Sequence, residues 1–194
     1  MISVIVPLMG IPPYDSQIED LLKDLEKQTA THEVIVVEQP IERYIRKNDL
    51  LNEGYEESQG DFIWHCDADF LLPDVTLLER MADRVDDVIY PMFYSRPNKG
   101  FKIADGAPFM RRNVIERYGA LNGDLHGIGY VTFPFLAWCL TNTELLCSRE
   151  FQIELNDKPF RRLRGKQHTR TVKELQPLAK RLKAELMDLG VWPQ

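Results

Sequence analysis

Apolar and polar positions follow two periods along this chain, and the alternation between them predicts its elements. Residues 2–6 form a β-branched apolar run ended by Pro7, the pattern of a buried strand. A turn-rich loop from Gly10 follows. Ser16 stands as the N-cap of a helix whose Ile18, Leu21, Leu22 and Leu25 recur at helical spacing up to about Gln28. A second apolar run at 33–37 predicts a strand. Residues 48–58 predict a helix with Leu50, Leu51 and Tyr55 on one face, ending at Gly60. Residues 62–66 read as a third strand, 75–85 as a helix and 88–93 as a strand. From Gly100 onward the pattern is less regular: 113–118 and 134–140 read as helical. Residues 172–189 form an amphipathic helix carrying Leu175, Leu178, Leu182 and Leu186.

Strands alternating with helices predict an α/β fold with a mainly parallel central sheet flanked by helices. Ligands of such sheets sit beyond the carboxyl ends of the strands. Glu38, Gln39 and the pair Asp67/Asp69 all fall at such ends. No internal repeat or low-complexity linker interrupts the 194 residues, so the expectation is a single domain. Residues 1–99 would hold the regular strand–helix alternation, and residues 100–194 the less regular half with a C-terminal basic helix.

Composition narrows the class. With 44% hydrophobic and 28% charged residues the chain has the balance of a globular protein, neither disordered nor fibrous. Three cysteines without C-x-x-C spacing give no disulfide framework or zinc site and imply a reducing compartment. No apolar stretch approaches the roughly 20 residues that cross a bilayer, and the opening run lacks the basic start of a signal peptide. The expectation is a soluble, cytoplasmic protein. The net charge of −6 conceals an asymmetry: residues 157–183 hold ten Lys/Arg against Asp157 and Glu174, leaving −14 on the remainder. Such a segment is either a solvated basic face or the binding place of an anionic ligand.

The sharpest chemical signal is Trp64-His-Cys-Asp-Ala-Asp-Phe-Leu-Leu-Pro. In a turn after a buried strand, two carboxylates separated by one small residue can both face one cation. Oxygen ligands suit Mg²⁺ or Mn²⁺, which such sites hold together with substrate phosphates. A D-x-D alone is also compatible with an exposed turn.

The surrounding residues decide between these. From Arg46 to Pro73 the chain reads R-K-N-D-L-L-N-E-G, then a helix and strand, then D-A-D-F-L-L-P. This closely resembles GT-A glycosyltransferases of the β-1,4-galactosyltransferase-like group and, more loosely, glycosyltransferase family 2. S-V-I-V-P near the N-terminus, Gln28-Thr29, E-V-I-V-V-E and the segment D-G-A-P-F-M-R-R-N-V-I-E-R-Y-G-A from Asp105 match the same families. The resemblance covers about residues 2–129. It implies a GT-A fold, with 1–99 as the nucleotide-binding half and 100–194 as the acceptor half with its C-terminal basic helix, and a metal-dependent transfer of a sugar from a nucleoside-diphosphate donor to a glycan or other acceptor hydroxyl. UDP is the favoured nucleotide because these families mostly use it.

Carried over by position, the resemblance makes Asp69 the direct metal ligand. Asp67 would contact the ribose or, through water, the metal. Pro7 would lie where the backbone meets the nucleotide, and Glu38 would read its base or ribose. Lys47, with Arg46, would face the nucleotide. Asn52 belongs to the same motif, with helix packing or capping as the equal alternative. His168, 99 residues after Asp69, matches a C-terminal-side histidine that family members bring back to the cation; an imidazole favours Mn²⁺ over Mg²⁺. Arg164, Lys166 and Arg170 would then neutralise the diphosphate leaving group. His65, Trp64 and Trp138 read as structural residues.

One departure stands out. Where the galactosyltransferase-like enzymes carry W-G-x-G-x-E-D, this chain keeps Gly127 and Gly129 but has Val131 and Thr132 in place of the acids. An inverting transfer needs a base within reach of the acceptor oxygen. Asp124 and His126 are the candidates, with Asp105 a further one. A retaining enzyme or a domain without catalysis would also fit. Nucleotidyl transfer fits less well, because Leu8-Met-Gly-Ile-Pro-Pro lacks a Gly-rich phosphate loop. A nucleic-acid acceptor is the lesser reading of the basic segment, since only Phe160 interleaves with its cations.

Overall fold

A computed structural model describes residues 1–8, 12–38, 47–95, 99–104, 106–118, 139 and 142–156. In chain order these form β1 (Ile2–Leu8), α1 (Pro12–Leu25), β2 (His32–Glu38), α2 (Lys47–Glu57), β3 (Phe62–His65), β4 (Phe70–Leu71) and α3 (Leu77–Ala82). Then come β5 (Val88–Ser95), β6 (Gly100–Ile103), β7 (Phe109–Arg111), α4 (Arg112–Tyr118), β8 (Leu145–Gln152) and β9 (Glu154–Leu155). The expected strands and helices are present with shifted ends. Ser16 is not an N-cap: α1 begins at Pro12, since proline in a first turn forfeits only an N–H that the helix leaves unbonded. The helix expected over 75–85 is only Leu77–Ala82. The helix expected over 134–140 lies outside the described residues except for the helical Cys139, as does the whole of 172–189.

The central sheet runs β2-β1-β3-β7-β5, with β1 parallel to both β2 and β3. Strand β7 lies antiparallel to both β3 and β5, so β5 points the same way as β1. β8 takes one edge of β5, parallel to it. β6 takes the other edge, beyond β7 and antiparallel to β5. The expectation of a mainly parallel sheet therefore holds in strand direction, with β6 and β7 inserted against it. Periodicity from Gly100 onward was weak because these strands are short and interrupted.

Two apolar layers cover the sheet. Val4 and Val6 of β1, Trp64 of β3 and Cys66 just past its end bury against Ile18, Leu21 and Leu25 of α1 and against α3. The opposite face (Ile5, Ile63, Tyr90, Ile103) packs on Leu50 and Leu51 of α2 and on Val114 and Ile115 of α4. Gln28 joins helices α1 and α3. Its Nε2 donates to the Asp74 carbonyl at 2.8 Å, and its Oε1 accepts from Leu78 N at 3.1 Å. Gly54 sets how closely α2 lies on the sheet: a Cβ there would come within 2.4 Å of Ile5 Cγ2. That approach holds the start of α2, at Lys47, over the carboxyl ends of the strands.

Candidate functional site

The carboxyl ends of β1, β2 and β3 converge as the sequence pattern required. Leu8 pairs with Glu38 at the ends of β1 and β2, leaving Glu38 exposed and Pro7 buried. Pro7 has the same parity as Ile5, whose carbonyl accepts from Cys66 N at 2.9 Å. Its missing N–H therefore falls on the β3 side, where β3 has already turned away and no ladder bond is forfeited.

Just past that point the chain makes a tight turn: Phe70 N donates to the Asp67 carbonyl at 3.1 Å. The D-x-D pair occupies this turn rather than a strand, with both carboxylates half-buried. Lys47 donates to Asp67 Oδ1, an ion pair with the ammonium largely buried and the carboxylate about a third exposed.

The third wall comes from the segment joining β6 to β7. Met92 pairs with Ile103 and Ile89 with Phe109, so five residues (104–108) face only Tyr90 and Pro91. The described residues of this connection, 104 and 106–108, lie against the D-x-D turn and are pinned in place. Ala107 N donates to the Ala104 carbonyl at 2.9 Å, and Trp64 Nε1 donates to the Ala107 carbonyl at 3.2 Å. His65 N donates to the Pro108 carbonyl at 3.2 Å. Gly106 thereby reaches the ion pair: a Cβ on it would sit 3.3 Å from Lys47 Nζ and 3.5 Å from Asp67 Oδ2. Trp64 is a core residue whose indole fixes the bulge, in keeping with the structural reading.

His65 is buried, and neither ring nitrogen has a hydrogen-bond partner among the described residues. Burial, and then the charge of Lys47, push its pKa down to about 3, so the imidazole is neutral near pH 7. Cys66 is held well above the ordinary thiol value by burial and by the charges of Asp67 and Asp69.

Asn156 was not foreseen. The two-residue ladder between β4 and β9 delivers it to the turn, where its N–H donates to the Asp69 carbonyl at 2.7 Å. Its side chain donates to Asp20 Oδ2 at 3.1 Å, which ties it to α1. Asn156, which immediately precedes the basic segment in the sequence, thus lies beside the acidic pair. No sequence signal marks so short a strand pair.

The structure brings together Pro7, Glu38, Lys47, Asp67 and Asp69. Asn52 lies half-buried in the body of α2, about 7 Å along the helix axis from Lys47. Arg46, Asp105, Asp124, His126, Val131, Thr132, Arg164, Lys166, His168 and Arg170 lie outside the described residues. Among the described residues no three His, Cys, Asp or Glu side chains group closely enough to hold a metal ion by themselves. Two carboxylates on an open turn nevertheless fit a hard cation that completes its shell from substrate oxygens or a further side chain.

No family model matches the sequence, and no curated protein does. Solved structures do. A mannosyltransferase from Pyrobaculum calidifontis, in complex with GDP-Man and Mn²⁺, aligns over 96% of this chain and 64% of its own at TM-score 0.62 and 15% identity. Staphylococcus aureus TarS aligns over 96% of this chain and 65% of its own at TM-score 0.63 and 14% identity. The catalytic domain of Drosophila β1,4-galactosyltransferase 7, in complex with xylobiose, aligns over 86% and 72% at TM-score 0.59 and 15% identity. The chain thus spans slightly less than two thirds of the first of these. At such identities the likeness establishes architecture: the chain has the fold of the GT-A glycosyltransferases.

Proposed function

We propose that the protein is a metal-dependent glycosyltransferase, moving a sugar from a nucleoside-diphosphate sugar to an acceptor hydroxyl. The observation that carries this is the D-x-D turn at the carboxyl end of β3, walled by Lys47 and Gly106. Complexes of similarly folded proteins with GDP-Man and Mn²⁺, and with UDP-GlcNAc, support the reading.

In this proposal Asp69 and Asp67 hold Mn²⁺ or Mg²⁺, with His168 as a further ligand. When bound, such a cation would act as a Lewis acid, stabilising the negative charge that develops on the leaving diphosphate. Lys47 exchanges Asp67 for a phosphate oxygen, joined by Arg46, Arg164 and Lys166; charge-assisted contacts of this kind are among the stronger hydrogen bonds. Glu38, exposed at the rim beside Leu8, reads the base or ribose. Asn52 orients the helix that presents Lys47. Asp124 or His126 takes the proton from the acceptor hydroxyl. The +8 charge of residues 157–183 serves the anionic donor rather than a nucleic acid.

Thermal unfolding with UDP, GDP, CDP and dTDP, each with Mn²⁺, Mg²⁺ or EDTA, tests the donor site. A ligand at 100 times its dissociation constant stabilises the fold by about 2.7 kcal/mol. The expected result is a cation-dependent shift with one nucleotide that Asp69→Asn removes. A shift that survives both EDTA and Asp69→Asn overturns the metal assignment. No shift with any nucleotide overturns the transferase reading in favour of a GT-A domain without catalysis.

A further inference from the structure

The hairpin of β5 and β6 continues past the carboxyl ends of its neighbours, and its outermost rungs carry chemistry that folding does not require. Tyr94 stands directly opposite Phe101, with ring centroids 5.5 Å apart in an edge-on arrangement. Tyr94 is 53% exposed, unusual for an aromatic ring in a sheet strand. From the other side of β5, Arg149 of β8 lays its guanidinium over the Phe101 ring at 4.8 Å. Arg149 is exposed, and among the described residues no carboxylate pairs with it. The hairpin then runs directly into the candidate site. Met92 pairs with Ile103, Ala104 N donates to the Pro91 carbonyl at 2.9 Å, and Gly106 lies against Lys47 and Asp67. Gly106 follows Phe101 by five positions, a path of at most about 17 Å in extended chain.

We propose that Tyr94, Phe101 and Arg149 form an acceptor subsite for a saccharide bearing a carboxylate or phosphate a few sugar units from the reacting hydroxyl. This rests on the glycosyltransferase reading and names the acceptor class for it. An aromatic ring offers a rigid, amphipathic surface to the C–H face of a pyranose at little cost in side-chain entropy. The planar guanidinium supplies the fork that matches a carboxylate or phosphate, and stacking on Phe101 holds that fork in place before the ligand arrives. A neutral glycan offers the guanidinium only single hydroxyl acceptors, without the charge or the two-oxygen fork of a carboxylate or phosphate. The combination therefore selects an anionic sugar. That bound on the path from Phe101 to Gly106 puts the subsite and the D-x-D turn within reach of one short oligosaccharide.

The test is binding without donor, followed by NMR titration with three oligosaccharides of equal length: an oligogalacturonate, a phosphate-bearing oligomannoside and an unsubstituted oligomannoside. The wild-type chain is expected to bind at least one charged oligosaccharide about tenfold tighter than the neutral one. Tyr94→Ala should weaken all three. Arg149→Gln should abolish the preference for charge while leaving neutral binding intact. Which charged ligand binds tighter separates a uronate from a phosphate acceptor. A charge preference that survives Arg149→Gln, indifference to Tyr94→Ala, or no binding at millimolar ligand overturns the subsite. Cation-dependent melting shifts with nucleotide should be the same in both variants as in the wild type. If they are intact while saccharide binding is absent, only the subsite fails. If they are absent while Tyr94-dependent binding persists, the transferase reading fails and the saccharide site stands.

Discussion

Replacing Gly54 by alanine sets two opposed effects against each other, and the structure decides their sign. In the body of a helix, alanine is favoured over glycine by about 1 kcal/mol, so propensity alone predicts a more stable protein. The added methyl, however, would lie 2.4 Å from Ile5 Cγ2 and 3.1 Å from Val37 Cγ2. Ile5 is fully buried in the middle of β1, and a β-branched side chain has little rotamer freedom with which to move aside. Forcing a methyl into such packing costs typically 1–3 kcal/mol, and a contact this short belongs at the upper end. The net expectation is a loss of about 1–2 kcal/mol, or roughly 2–8 °C in melting temperature for a chain of this size. Urea and thermal unfolding measure it. Ile5→Ala removes the methyl that collides, so the double variant Ile5→Ala/Gly54→Ala should lose less than the sum of the single losses. A Gly54→Ala protein as stable as the wild type, or strict additivity in the double variant, would refute the argument. The consequence extends beyond stability: pushing α2 off β1 moves Lys47 away from Asp67, so nucleotide-induced stabilisation should fall in the same variant.

Further outcomes follow from the same residues. Lys47→Met should weaken nucleoside-diphosphate binding by about tenfold or more, read from the nucleotide dependence of melting. It should leave the unliganded melting temperature nearly unchanged, because Asp67 is partly solvated, and an undiminished nucleotide shift would contradict the role given to Lys47. Burial raises the Glu33 pKa, but hydrogen bonds from Ser3, Gln59 and Gly60 and the charge of Arg112 outweigh it, so its carboxyl lies below the ordinary value of 4.5. A depressed carboxylate stabilises the fold above its unfolded pKa and loses that contribution as pH falls through the folded value. Glu33→Gln should therefore cost stability at pH 7, with the difference from wild type shrinking below about pH 4.5; a gap constant from pH 7 to pH 3 would count against this. Burial pushes Cys139 and Cys147 up to about 12, and Cys66 is also raised, so none should react readily with a thiol reagent at pH 8 in the native state. Rapid labelling of any of the three without unfolding would show that its surroundings open.

The sequence by itself determined the elements whose pattern is local. The β-branched runs of β1 and β2, the apolar stripes of α1 and α2, and the placement of Asp67 and Asp69 after a buried strand were all legible. Each is set by periods of two or 3.6 and by turn residues within a few positions. Gln28 and Gly54 were visible as parts of a motif, but their reasons were not. One joins α1 to α3 and the other admits β1 to α2, and both involve partners distant in the chain. Tertiary structure alone decided the rest. β7 is three residues long and exists because β3 and β5 each offer it an edge. The surplus of residues between Ile103 and Phe109 becomes a wall of the site only because β5 supplies two positions where the other strand needs five. Asn156 reaches Asp69 through a ladder too short to leave a periodic trace. The ion pair of Lys47 with Asp67, and the exposure of Tyr94 opposite Phe101, follow from how far α2 and the β5–β6 hairpin extend past the sheet. Periodicity tells which face of an element is buried. Which element buries it, and how far each one overhangs, depends on contacts between residues far apart in sequence.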